Sequence, residues 1–165
     1  MGGSMNRLTE QMVKFAFEMD KGGIKRQFSI PQEIAHFTST AQIAKIIAMK
    51  RGIDTRLATA TALVHDIYRI KTGINENHAE LGAPIAREFL KKHSDFSDKE
   101  IEEIVLAVKN HSKKDEIGSQ LEELIKDVDV FDSYFYNLKK DSDHYRRRFY
   151  KVAEELNLNK GDYEY

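Results

Sequence analysis

Six histidines (His36, His65, His78, His93, His111 and His144) and no cysteine bound the chemistry this chain can do. Without thiols there is no disulfide, thiolate zinc site, iron–sulfur cluster or cysteine nucleophile, so any metal must be held by His, Asp and Glu. Imidazole and carboxylate together suit Mn, Fe, Co, Ni or Zn better than Ca. His65 and Asp66 are adjacent and follow the apolar run Leu57–Val64. A carboxylate there is expected to be half-buried, which is costly unless it is paired or binds a cation. His36 shares a face with Thr40, Ile43 and Ile47, the inward stripe of a helix, and is expected to look into the core. His78 precedes one helix and His111 follows another, and helix ends can converge on one pocket. Asp129 lies in an apolar helix four residues after Ile125, which suggests a ligand or a buried pair. Asp127 and Asp132 compete for that role, and periodicity does not choose between them.

These residues need elements to bring them together. Apolar residues recur at helical spacing throughout, and no strand pair appears. Leu8, Met12, Phe15, Ala16 and Met19 mark a first helix, and residues 20–31 read as a loop. A second helix runs from about Gln32 or His36 to Arg51, stopped by Gly52, and a third, capped by Asp54 or Thr55, holds Leu57 to Val64. After a loop at 71–77, a helix spans about His78 to Lys92. Pro84 either kinks it or sits in its first turn, if the regular helix starts near Ala83. Capping boxes at Ser97–Glu100 and Ser119–Glu122 open two more helices, and Tyr145, Phe149, Val152 and Leu156 mark the last. The expected fold is a single all-α domain of about seven helices over residues 5–165. Residues 1–4 read as a cloning remnant, with Met5 as the natural start.

Composition narrows the function. The chain has 165 residues, of which 41% are hydrophobic and 32% charged, ordinary values for a globular protein. Its 26 Lys and Arg against 27 Asp and Glu give a net charge of −1, which argues against a general nucleic-acid-binding role. No apolar run reaches the ~20 residues needed to span a bilayer, and a signal-peptide core is missing at the N-terminus, so a cytoplasmic location is expected. Between residues 139 and 151, Lys139, Lys140, Arg146, Arg147, Arg148 and Lys151 alternate with aromatics. That pattern could make a nucleic-acid or phosphate patch, but nearby Asp141, Asp143, Glu154 and Glu155 dilute the charge, and the segment reads as the solvated face of the last helix with its aromatics packing on the core. Lys113 or Lys114 could stabilise phosphate charge, but both read more simply as part of a solvated loop.

The ordered set His36, His65-Asp66, His78, His111, Asp129 resembles the HD domain family of metal-dependent phosphohydrolases. The resemblance rests on His36, on Leu63-Val64-His65-Asp66-Ile67-Tyr68-Arg69, on His78-Ala79-Glu80-Leu81-Gly82-Ala83, on Val108-Lys109-Asn110-His111-Ser112, and on Lys126-Asp127-Val128-Asp129-Val130-Phe131-Asp132. It covers about residues 36–132. It implies that His36, His65, Asp66 and Asp129 bind a first divalent metal. It implies that His78 and His111 bind a second, bridged by Asp66, and that Arg69 faces phosphate. Tyr68 replaces a glycine common after His-Asp-Ile, and the His111 segment has one histidine where some members have two.

The resemblance implies hydrolysis of a phosphate ester in a nucleotide or another small phosphorylated metabolite, with Asp66 and Arg69 in catalytic roles. One or two ions of Fe, Mn, Co, Ni or Zn would serve as cofactor, acidifying water and polarising the phosphoryl oxygen. The alternatives are a di-iron oxygenase on the same ligands and a non-catalytic metal-binding module. No membrane partner is expected, and a homo-oligomer is compatible with the chain.

Overall fold

A computed structural model describes residues 2–138 and 140–165; of residues 2–4 only the backbone is described. Among them the chain forms eight helices and no strand. Seven are those expected from periodicity. α1 (Gly2–Asp20) begins inside the stretch read as a cloning remnant, whose Met1 lies outside the described residues. It buries Leu8, Met12 and Ala16, spaced four apart.

α2 (Ile30–Arg51) starts earlier than its apolar periodicity suggested. Ser29 and Gln32 form a capping box, and Pro31 occupies the first turn, where its missing N–H costs nothing. Reading Pro31 as part of a loop hid this start. Gly52 ends the helix in the left-handed region with φ 67°.

α3 (Thr55–Val64) is capped by Asp54, and every residue from Leu57 to Val64 is buried. A helix apolar on all sides belongs at the centre of a domain, and α3 packs against α1, α2, α6 and α7. The chain breaks at His65 and Asp66 and restarts as the unforeseen six-residue α4 (Ile67–Thr72). Gly73 terminates it at φ 74°, and a Cβ there would stand 2.7 Å from the Lys25 carbonyl oxygen, so the close approach also requires glycine.

α5 (His78–His93) runs through Pro84, so the helix begins at His78 and not near Ala83, and the proline lies inside it rather than in its first turn. α6 (Asp98–Asn110) and α7 (Gln120–Phe135) carry the two expected capping boxes. α5 packs against α6, and α7 against α2 and α8 (Asp143–Glu155).

The basic segment before and within α8 is only partly the solvated face expected of it. Lys139 lies outside the described residues. Lys140 stands over the Tyr145 ring, Arg146 pairs with Asp141 and Asp143, and Arg147 and Lys151 are exposed. Arg148 turns inward to Glu123 and Asp127, and Phe149 is buried in the core. No helix among the described residues is long and apolar enough to cross a membrane.

Candidate metal centre

The centre lies where the ends of α3, α5 and α6 meet the sides of α2 and α7. His65 caps the C-terminus of α3, His111 caps that of α6, and His78 opens α5. In each, ring Nδ1 lies 2.7 Å from the backbone carbonyl oxygen three residues earlier, those of Ala62, Asn75 and Val108. A carbonyl only accepts, so each Nδ1 carries the proton. His36, in the second turn of α2, directs its Nδ1 to Asp132 Oδ2 at 2.7 Å. All four rings therefore turn Nε2 to the interior, as ligating histidines do when a carboxylate or carbonyl fixes their tautomer.

The Nε2 atoms fall into two pairs around Asp66. His36 and His65 Nε2 are 3.2 Å apart and lie 3.4 and 3.1 Å from Asp66 Oδ2. His78 and His111 Nε2 are 3.1 Å apart and lie 3.2 and 3.4 Å from Asp66 Oδ1. The antiparallel packing of α5 and α6 places the start of one beside the end of the other. Asp129 closes the first group, with Oδ1 3.2 Å from His36 Nε2 and 3.6 Å from His65 Nε2. Three overlapping trios have their ligand atoms within 4.8 Å of one another: His36, His65 and Asp66; His65, His111 and Asp129; and Asp66, His78 and His111.

Asp66 is buried rather than half-buried; no aligned hydrogen-bond donor among the described residues meets its oxygens, and Arg69 stands beside Oδ2 as an ion-pair contact at 2.9 Å. A buried carboxylate without an aligned hydrogen-bond donor, set amid inward lone pairs, fits a divalent ion, since such a group is otherwise costly to bury.

Electrostatics support the same fit. Burial alone would raise the Asp66 carboxyl, but Arg69 and His65 hold it well below the usual carboxylate range. Burial would likewise raise Asp129, yet Lys114, His36 and His65 keep it well below that range. Burial opposes protonation of His36, but the carboxylates of Asp129, Asp132 and Asp66 around its ring lift it well above its ordinary value. His65 is lifted to about 9, Asp66 and Asp129 overriding its burial. Burial pushes His111 down to about 4.

The three competing acids of α7 separate. Asp129 lies in the centre, Asp132 orients His36, and Asp127 faces away. Asp127 is fully buried and is met by Arg51 at 2.8 Å, Arg148 at 2.6 Å and Lys151 at 3.0 Å.

Arg69 reaches Asp66 Oδ2 at 2.9 Å and forms a two-pronged pair with buried Glu33, at 3.2 and 2.7 Å, over the Phe28 ring. It also lines a small cavity beside His36, with Phe28, Gln32, Ser133 and Tyr136. Burial raises the Glu33 carboxyl even though Arg69 pulls it down.

Lys113 is exposed, as a solvated loop requires, but Lys114 is not: it is buried, with Nζ 2.6 Å from Asp129 Oδ2. The carboxylate of Asp129 draws it in. Sequence reasoning missed Glu33 and did not foresee that Lys114 pairs with Asp129, because both partners lie on other elements.

Residues 34–137, which include all six of these His and Asp positions, match the HD domain family. Ribonuclease Y of Acetivibrio thermocellus is 26% identical over 139 residues, which cover 82% of this chain and 25% of that protein. No solved structure matches the chain.

Proposed function

The chain belongs to the HD domain family of metal-dependent phosphohydrolases, and from that premise we propose that it hydrolyses a phosphate ester of a nucleotide or another small phosphorylated metabolite. One observation carries the reading: four Nε2 atoms and both oxygens of buried Asp66 converge on one centre. His36, His65, Asp66 and Asp129 would hold one divalent ion, and Asp66, His78 and His111 a second. When bound, such ions supply Lewis acidity, lowering the pKa of water and polarising a phosphoryl oxygen.

The protein's own groups do the rest. Asp132 and the carbonyls of Ala62, Asn75 and Val108 fix the imidazole tautomers. Arg69, anchored on Glu33, steadies Asp66 and brings positive charge to the edge of the cavity where the substrate's phosphate would lie. Phe28 and Tyr136 offer aromatic walls to the rest of the substrate.

The likeness to Ribonuclease Y favours a second reading, an RNA phosphodiester as substrate. The net charge of −1 favours the small substrate.

The test is phosphate release after loading with Mn, Fe, Co, Ni or Zn, across phosphomonoesters, nucleotides and short single-stranded RNA. Cleavage of RNA with inertness toward small esters would select the second reading. Asp66→Ala should lose bound metal and hydrolysis together, because it leaves mostly neutral imidazoles around a dication. Full metal content of that variant by elemental analysis would contradict the assignment.

A further inference from the structure

The Asp129 carboxylate divides its oxygens between opposed partners. Oδ1 faces His36 and His65 at 3.2 and 3.6 Å, while Oδ2 accepts from Lys114 Nζ at 2.6 Å. Lys114 is itself held firmly. Its Nζ also donates to the His111 carbonyl at 2.7 Å, and its own carbonyl accepts from Arg148 Nε at 2.9 Å. Arg148 belongs to α8, beyond the residues that match the family, and stands on Asp127 at 2.6 Å.

An ammonium beside a site for a dication opposes the ion's charge, so Lys114 is not placed there to strengthen metal binding. Its geometry gives it another task, because a carboxylate with one oxygen already occupied has only the other to offer.

We infer that Lys114 is a positioning residue that keeps Asp129 a one-oxygen ligand, so that a coordination position stays open. An open position is what separates catalytic metal sites from structural ones, whose coordination is closed. The inference rests on the metal-site reading above and adds to it a residue that the family match does not assign.

The experiment loads the full chain with Mn²⁺, follows binding by the electron paramagnetic resonance of free Mn²⁺, and counts exchangeable waters by water-proton relaxation. The native protein should bind Mn²⁺ with at least one fast-exchanging water per ion. In Lys114→Met the freed Oδ2 should join Oδ1, removing about one water per Asp129-bound ion at equal or tighter binding. Lys114→Arg, which keeps the donor and the charge, should retain the native water count. Should Lys114→Met fail to fold by circular dichroism, Lys114→Leu, which also lacks a donor, carries the same test. An unchanged water count in the neutral variant overturns the inference, and so does its losing Mn²⁺, which would make Lys114 a support for binding. If the native protein binds no Mn²⁺ while Zn²⁺ and Co²⁺ also fail, the metal-site reading falls and takes this inference with it.

Discussion

His36 Nε2 and His65 Nε2 stand 3.2 Å apart with both Nδ1 protons committed elsewhere, one to Asp132 and the other to the Ala62 carbonyl. With both rings neutral, two lone pairs would face each other. A proton shared between them relieves that contact in the metal-free protein, where the surrounding carboxylates favour it. The acids around the pair give the same answer, lifting His36 well above its ordinary value and His65 to about 9.

Metal therefore competes with protons, and its affinity should rise with pH up to about 9. At pH 7.5, loading should release at least one proton per ion at this site. Titration calorimetry in buffers of different ionisation enthalpy measures that number, and zero release would refute the shared-proton picture. The stability of the metal-free protein carries a matching sign. The raised His65 contributes stability that is fully present below pH 6.5 and is lost as pH rises through about 9. His111, depressed to about 4, acts oppositely: it favours the fold above pH 6.5, and that contribution fades as pH falls through about 4.

Asp127→Ala tests the division of labour on α7. The substitution leaves Arg51, Arg148 and Lys151 without their shared buried carboxylate. Breaking a buried pair by removing one partner costs roughly 3–5 kcal/mol. Lys151 is exposed and Arg51 keeps Glu155, so the lower end of that range is expected. Urea unfolding of the metal-free form measures the loss. Metal stoichiometry should be unchanged, and a variant that unfolds normally but binds no metal would put Asp127 rather than Asp129 in the centre.

That ambiguity shows where the sequence stops being informative. Helix periodicity and the boxes at Ser97 and Ser119 reveal most of the elements, and the stripe His36, Thr40, Ile43 and Ile47 points His36 inward, with Ile43 half-buried at its edge, because these signals are local. The choice among Asp127, Asp129 and Asp132 is not local. All three lie on one apolar helix, and Asp127 is the most deeply buried of them. Only the arrival of Arg148 from α8 and Arg51 from α2 makes it structural. Lys114 illustrates the same limit. It sits in the charged run Lys113-Lys114-Asp115-Glu116, whose composition signals solvent, while its partner lies fifteen residues on. Glu33 is equally silent until Arg69 comes to it from α4.

The second ligand group is the sharpest remaining test. His78 and His111 reach Asp66 Oδ1 at 3.2 and 3.4 Å, while His36 and His65 reach Oδ2. The carboxylate is thus placed to bridge, one oxygen to each group. His111 differs from His65 in that burial keeps it neutral, at about 4, so its lone pair is available near neutral pH without proton release. The second ion should then bind with a weaker pH dependence than the first. The double variant His78→Ala/His111→Ala removes both Nε2 donors and leaves His36, His65, Asp66 and Asp129 in place. Under the two-ion reading it should lose about half the bound metal and most of the hydrolysis, because attacking and leaving oxygens are no longer both clamped. The remaining ion should keep the pH dependence set by His65. Unchanged stoichiometry by elemental analysis would reduce the centre to one ion, with His78 and His111 left to bind water or the substrate's phosphate.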